Sequence, residues 1–371
     1  MFRNTGRQRV KVSPAQPAGR PWPSRPSPLP PALRWLGPFL AAGFGAGSAL
    51  TRRAYDRGWA KSVRAAVPVL SVGNLTAGGT GKTPTVAYLA RGLIQRGLAR
   101  KPAVLMRGYG ARRPGEANDE ARELQKLLGE AAPILCNPNR ELAAAQAVAR
   151  DCDAIILDDG FQHRRLARDL DIVLIDATDP FGGGHYLPWG RLREPPEALA
   201  RAQAVIITRA DHAEPAELER LKETLKLLAP GAGLSLARQT PQVLRRICGP
   251  DGEAMLDELK GKKVLALCGI GNPDPFVEQL RRHGADIVAK LIYPDHAAYG
   301  PPDLERARTA AVAEGAEWIV TTGKDAVKLE DFGEAARSLP PLWALRIETE
   351  LLQGDAALWR RIEQAVGGRR A

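Results

Sequence analysis

Val67–Tyr88 reads VPVLSVGNLTAGGTGKTPTVAY, and its three parts decide the fold. Val67, Val69, Leu70 and Val72 make the short apolar run expected of a strand buried on both faces of a parallel sheet. Gly73–Gly81 is a loop dense in Gly and Thr. Pro84 stands where a first helical turn tolerates proline, because the missing N–H would have no partner there. Strand, glycine loop and helix together frame a phosphate-binding loop. In such a loop Thr76, Ala77, Gly78, Gly79, Thr80 and Gly81 offer backbone N–H groups to phosphate oxygens. Lys82 then reaches the β- and γ-phosphates, and Thr83 can ligate Mg²⁺. The general pattern opens on glycine where this chain has Thr76; Gly78 and Gly79 supply the permissive backbone instead. The competing reading is a strand–helix turn with no ligand, and GKT between a strand and a helix argues against it.

Downstream, apolar runs alternate with helical patterns. Strands are expected at Ala103–Met106, Ile134–Cys136, Ala154–Leu157, Ile172–Ile175 and Val205–Thr208. Helices fall between them, Glu120–Leu128 and Arg140–Ala149 among them. This alternation predicts an α/β fold, a P-loop NTPase-like parallel sheet with helices on both faces. Residues 209–240 read as helical and then loop-like. A smaller C-terminal α/β domain follows, with strands at Val264–Leu267, Ile287–Leu291 and Trp318–Thr321. The expected organisation is a Pro/Arg-rich tail over 1–32, a helical segment over 33–66, a P-loop core over 67–245 and a smaller C-terminal α/β domain over 246–371. Ligands of an open α/β sheet sit at the carboxyl ends of its strands, which is where the glycine loop, Arg107, Asp158 and Asp176 fall.

The chain has 371 residues, with 53 Lys and Arg against 42 Asp and Glu, a formal net charge of +11. That excess suits an anionic partner: a phosphorylated substrate, an anionic membrane surface or nucleic acid. Nothing resembles a helix-turn-helix or an aromatic RNA-binding signature, so no nucleic acid partner is expected. Cys136, Cys152, Cys248 and Cys268 show no CxxC spacing and read as buried thiols rather than a disulfide frame or zinc site. Leu33–Leu50 is the most apolar stretch but is short of the roughly 20 residues that span a bilayer. Arg52, Arg53, Arg57, Lys61 and Arg64 follow, interleaved with Tyr55 and Trp59. A helix lying in a membrane interface fits this pattern; so does a core-packed helix with a solvated basic face.

Phosphoryl transfer needs a phosphate cradle, Mg²⁺, an oriented nucleophile and charge neutralisation. Asp158 ends the apolar strand AIIL and is the natural metal-side acid, although Asp-Asp-Gly also makes an ordinary turn. Asp119 and Glu120 follow a strand and open a helix, so they can face the γ-phosphate or simply cap that helix. His296, beside Asp295 and near Tyr299, is a candidate for acid–base work. Arg140, Arg191 and Arg193 can clamp phosphates, and Gln162 and His163 can contact substrate.

Several stretches taken together resemble one family. They are SVGNLTAGGTGKTP (Ser71–Pro84), MRGYG (Met106–Gly110), LDDGFQHRRL (Leu157–Leu166), DIVLIDA (Asp171–Ala177), FGGGHYLPWGRLREP (Phe181–Pro195) and YPDHAAYG (Tyr293–Gly300). In this order they look like tetraacyldisaccharide 4'-kinase, the lipid A 4'-kinase, over roughly residues 33–335. The resemblance implies ATP and Mg²⁺ as cofactors and an acylated glucosamine disaccharide phosphate as substrate, phosphorylated on its 4'-hydroxyl. It implies a place at the cytoplasmic face of the bacterial inner membrane, peripheral or monotopic. It assigns the acid–base pair to Asp119 and His296 and gives Arg193-Glu194 a role in binding nucleotide phosphate or metal; read from the residues themselves, nucleotide contacts fall to Lys82 and Arg140, and metal binding to Thr83, Asp158 and Glu120. Two departures stand out: Asn118-Asp119-Glu120-Ala121 replaces the family's Gly-Asp-Glu-Pro, and LPWGRLREP replaces LPxGPLREP. The alternative function is a P-loop nucleotide switch or metallochaperone GTPase. It would need an Asn-Lys-x-Asp stretch, which Thr322-Gly323-Lys324-Asp325 resembles only at its end.

Overall fold

The structure, a computed structural model, describes residues 22, 28–108, 117–250, 252–295 and 297–368. Its strands are β1 (Val69–Asn74), β2 (Pro102–Met106), β3 (Ile134–Cys136), β4 (Ala154–Asp158), β5 (Leu170–Asp176), β6 (Ala204–Thr208), β7 (Gly233–Ile247), β8 (Glu253–Met255), β9 (Lys263–Cys268), β10 (Asp286–Ile292), β11 (Trp318–Thr322) and β12 (Leu342–Gln353). The helices are α1 (Gly37–Asp56), α2 (Lys82–Gln95), α3 (Asp119–Leu128), α4 (Arg140–Ala149), α5 (Pro215–Leu228), α6 (Asp274–Arg282), α7 (Pro301–Ala313), α8 (Gly323–Leu329), α9 (Glu334–Arg337) and α10 (Asp355–Gly367).

All twelve strands belong to one sheet, ordered β10-β9-β11-β12-β7-β6-β5-β1-β4-β2-β3, with β8 paired to β7. The first half runs parallel from β3 to β7. The apolar runs at β1, β4, β5 and β6 are buried along their whole length, because helices cover both faces. The sheet is mixed rather than purely parallel: β12 runs antiparallel to β7, from Leu342 opposite Ile247 to Gln353 opposite Leu236. β7 occupies residues expected in part as loop. Only Ser235–Ala237, Leu244 and Ile247 are buried along it, with Arg238, Arg245 and Arg246 half-buried, so no continuous apolar run announces it. The 245/246 position falls inside this strand.

The chain also returns to its first half. Leu358, Trp359, Ile362 and Val366 of α10 lie in the same core as Val86, Leu89 and Leu93 of α2. Trp359 Nε1 donates to the Tyr88 hydroxyl at 3.0 Å, and that hydroxyl donates to Asp355 at 2.7 Å. The helix that carries the glycine loop is therefore held from behind by the C-terminal helix.

α1 packs through its small residues. Gly37, Ala41 and Gly45 recur every four positions and form its buried seam. A Cβ on Gly37 would enter the Trp189 ring, and one on Gly45 would enter that of Tyr186, so only glycine permits this approach. The large side chains point the other way: Phe39 is 75% exposed, with Leu40 and Leu50 also exposed, and Trp35 in the turn just before α1 is 69% exposed. Among the described residues no helix is long and apolar enough to cross a membrane.

Candidate functional site

β1 lies between β4 and β5, with Val72 opposite Asp158 in the register. The strand ends therefore deliver the glycine loop and Asp158 to the same edge. α2 begins at Lys82, and Gly81 before it has φ +84°, a left-handed conformation that favours glycine. The loop is fixed by its own chemistry and by its neighbours. Asn74 Nδ2 donates to the Thr76 carbonyl at 2.6 Å, and the Thr85 hydroxyl donates to the Gly81 carbonyl at 2.8 Å. The Thr208 hydroxyl donates to the Thr80 carbonyl, and Arg209 to that of Gly79, each at 3.0 Å. The 181–193 loop clamps the front, with Thr76 bridged to Leu192 and the Ala77 N–H donating to the Arg191 carbonyl at 2.7 Å. These contacts hold the loop carbonyls, leaving the Lys82 ammonium to the acidic pair at the end of β4.

Lys82 Nζ donates to Asn74 Oδ1 at 3.2 Å and lies 3.5 Å from Asp159 Oδ1. Arg193 donates to the other oxygen of Asp159 at 2.6 Å. Asp159 has φ +53°, a strained conformation for a non-glycine residue and one that concentrates at functional sites. Burial alone would raise its carboxyl, but Lys82 and Arg193 hold it below the ordinary value. Asp158 behaves oppositely. Burial pushes it up to about 7, with Asp159 and Glu120 adding to the rise and Lys82 opposing it. Two adjacent carboxyls thus differ because one has cations against it and the other is shut away from water.

The Asp158 Oδ1 atom is buried with no hydrogen-bond partner, an arrangement that costs free energy unless a ligand compensates it. The Thr83 hydroxyl and the Asp158 and Glu120 carboxylates are the hard oxygen donors that Mg²⁺ takes. Among the described residues no group of three or more His, Cys, Asp or Glu side chains could hold a metal by itself. It is through the unpartnered Asp158 oxygen and the hard oxygen donors that the residues fit Mg²⁺.

These groups border a single cleft of about 1550 Å³. From the phosphate side come Gly78, Gly79, Thr80, Gly81, Lys82 and Thr83; Arg140, Arg191 and Arg193 line it too. Arg140 is buried, which lowers its guanidinium below the ordinary value, and its Nη1 donates to the Asn137 carbonyl at 2.8 Å. Gln162 Nε2 donates to the Asn74 carbonyl at 2.9 Å, and burial lowers His163. Facing them, Asp119, Glu120 and Glu123 of α3 line the cleft, as do Asp295, Thr322 and Lys324. Asn118 caps α3, accepting from the Ala121 N–H at 2.9 Å. Asp119 and Glu120 therefore lie in the first helical turn and leave the capping to their neighbour. His296 and the stretch 109–116 lie outside the described residues; Asp295, next to His296, accepts from Lys324 Nζ at 2.7 Å. α1 closes one end of the cleft through Phe44, Ser48, Thr51 and Arg52, and Ser48 donates to the Arg193 carbonyl at 3.1 Å.

Sequence reasoning missed Asn74, Arg209 and Lys328. Asn74 ends a strand inside the quoted loop motif, where a polar residue at a strand's carboxyl end was the available signal. Arg209 and Lys328 gave no such signal, since each reaches the site from a distant element.

Comparison with known proteins shows which family the chain belongs to. The family model LpxK: Tetraacyldisaccharide-1-P 4'-kinase matches residues 33–367. The tetraacyldisaccharide 4'-kinase of Anaeromyxobacter sp. (strain K) is 42% identical over 367 residues, covering 93% of this chain and 94% of the relative. That of Geobacter sulfurreducens is 39% identical, covering 83% and 88%. Among solved structures, LpxK from Aquifex aeolicus in complex with ATP matches with a TM-score of 0.68 and 27% identity, covering 90% of this chain and 99% of that one. With a family model and close relatives both spanning nearly all of its length, the chain belongs to the tetraacyldisaccharide 4'-kinase family.

Proposed function

We propose that the cleft transfers the γ-phosphoryl group of ATP to the 4'-hydroxyl of a tetraacyldisaccharide 1-phosphate with a definite division of labour between its two sides. The family supplies the reaction, a phosphoryl transfer to an alcohol, and the ATP-bound relative supports the nucleotide. On the phosphate side the backbone from Thr76 to Thr83 cradles the polyphosphate, and Lys82 neutralises its charge. Arg140 and Arg193 add guanidinium donors to the same phosphates. Thr83, Asp158 and Glu120 would hold Mg²⁺, which when bound draws charge from the β- and γ-oxygens.

On the acceptor side Asp119 takes the proton of the sugar hydroxyl, and His296 supports it. The hydroxyl O–H bond breaks as its oxygen bonds to the γ-phosphorus, and ADP leaves with the electrons of the β–γ bridge. The observation that carries this reading is the joint lining of one cleft by Lys82, Asp158 and Asp119. The exposed Trp35, in the turn just before α1, and Phe39 and Leu40 on α1 support docking at an anionic membrane surface, on the cytoplasmic side where ATP is found. The substrate's acyl chains resist transfer into water, so the enzyme must meet them at the interface. The test is incubation with labelled ATP and tetraacyldisaccharide 1-phosphate, against GTP. Label transferred to the lipid from ATP is expected. Nucleotide hydrolysis without labelled lipid would replace this reading with the nucleotide switch.

A further inference from the structure

Asp119 does not face the cleft with free charge. Lys328 Nζ of α8 lies 3.4 Å from its Oδ2. Lys328 is only 8% exposed, rare for a lysine unless it is paired. Its ammonium has three N–H donors. One reaches the Ala297 carbonyl at 3.0 Å, and Asp325 Oδ1 lies 3.5 Å away. Asp325 is wholly buried. Its Oδ2 accepts from the Gly269 N–H and the Thr322 hydroxyl, both at 2.8 Å, while Oδ1 has no hydrogen-bond partner and faces the ammonium. Asp325 is thus a fixed countercharge, and Lys328 extends from it to the cleft carboxylate. α3 is also tied to the turn that follows α8. Arg122 makes a two-pronged pair with Asp331, and Lys126 pairs with Glu330, which also accepts from Arg245 at 2.8 Å.

We propose that Lys328 is a positioning residue for phosphoryl transfer: anchored by Asp325, it holds Oδ2 of Asp119 so that the carboxylate presents its other oxygen to the acceptor hydroxyl. This rests on Asp119 being the base. The proton lost by the sugar hydroxyl goes to Asp119. A carboxylate on the first turn of a helix has several rotamers, and fixing one of them is the kind of orientation worth up to about 10²-fold in rate.

The test compares Asp119→Asn, Lys328→Met, Lys328→Arg, the pair Lys328→Met/Asp325→Asn and the pair Lys328→Met/Asp119→Asn in full-length enzyme, by steady-state kinetics and thermal melting. Lys328→Met is expected to lower kcat about 10–100-fold with the KM for ATP within about twofold, and Lys328→Arg to restore most of it. Lys328→Met also strands the Asp325 carboxylate, which destabilises the fold. Adding Asp325→Asn removes that charge and should recover Tm but not kcat. Lys328→Met should cost nothing further in the Asp119→Asn background, because the oriented group is already gone. If Asp119→Asn is impaired while Lys328→Met keeps its kcat, or if the two losses multiply, the positioning role is overturned and the base survives. Recovery of both Tm and kcat by Asp325→Asn would make Lys328 a structural partner only. A normal kcat in Asp119→Asn would remove the base, and this inference with it.

Discussion

The two sides of the cleft are held by different physics. The phosphate side is a run of backbone pinned by short hydrogen bonds: Asn74 on Thr76, Thr85 on Gly81, Thr208 on Thr80. The side proposed to take the acceptor is held by ion pairs between α3 and the segment from α8 to Asp331. Backbone hydrogen bonds fix a cradle whatever the pH or salt. Ion pairs whose side chains reach water, as Asp331 and Lys126 do, are weaker, screened by salt and sensitive to protonation. The cradle must fit a constant triphosphate, whereas the acceptor side must admit a large lipid and then orient a single hydroxyl.

Substitutions should separate the two sides. Lys82→Ala removes the charge that meets the phosphates, and kcat/KM for ATP should fall about 10³-fold. The circular dichroism spectrum should be unchanged, because Lys82 contributes no core packing. Retained turnover would dissolve the contrast at its root. Asp119→Asn should lower kcat about 10²–10³-fold while ATP binding measured by calorimetry holds. A matching loss of ATP affinity would show that the two sides are not separable.

The same contrast explains what could be read from the sequence. The phosphate side is contiguous: strand, loop and helix follow one another within Val69–Gln95, and each part has its own local pattern. The helices at Arg140–Ala149 and after Asn118 were legible for the same reason, since their caps are encoded next to them. The acceptor side is not contiguous. Arg122 and Asp331 meet across 209 residues, and Lys328 resembles any other lysine until α8 is laid against α3. β7 and β12 were hidden because a long antiparallel ribbon carrying Arg238, Arg245 and Arg346 lacks the apolar run that marks a buried parallel strand. Their pairing is what merges the halves into one sheet.

α1 gives a third, smaller expectation. Its outward face carries Phe39 and the turn before it carries Trp35, both exposed, and each aromatic buried in an interface is worth about 1.5–3 kcal/mol. Changing both to Ser should lower partitioning onto anionic vesicles at least about tenfold. Turnover of a detergent-dispersed substrate should change little, because neither residue lines the cleft. Unchanged partitioning would move the docking surface elsewhere.

The smallest effect probes the contact between α3 and α8 most directly. Glu123 packs against Gly323, so closely that a Cβ there would meet its carboxylate oxygen. Burial pushes the Glu123 carboxyl up to about 7; Glu120, Asp325 and Asp119 add to the rise, and Lys324 opposes it. Between the ordinary glutamate value and 7 the folded protein therefore keeps a proton that the unfolded chain has released. The stabilisation this brings is complete at the acidic end of that window and is lost as pH rises through it. Glu123→Gln keeps the shape and cannot ionise. Its Tm should exceed the parent's by about 2 °C at pH 8, with the gap closing as the pH falls towards 4.5, the ordinary glutamate value. A gap of equal size at both ends would mean that the amide's packing, and not the charge, governs how the base-bearing helix sits on its partner. The acceptor side would then be held by shape, as the phosphate side is.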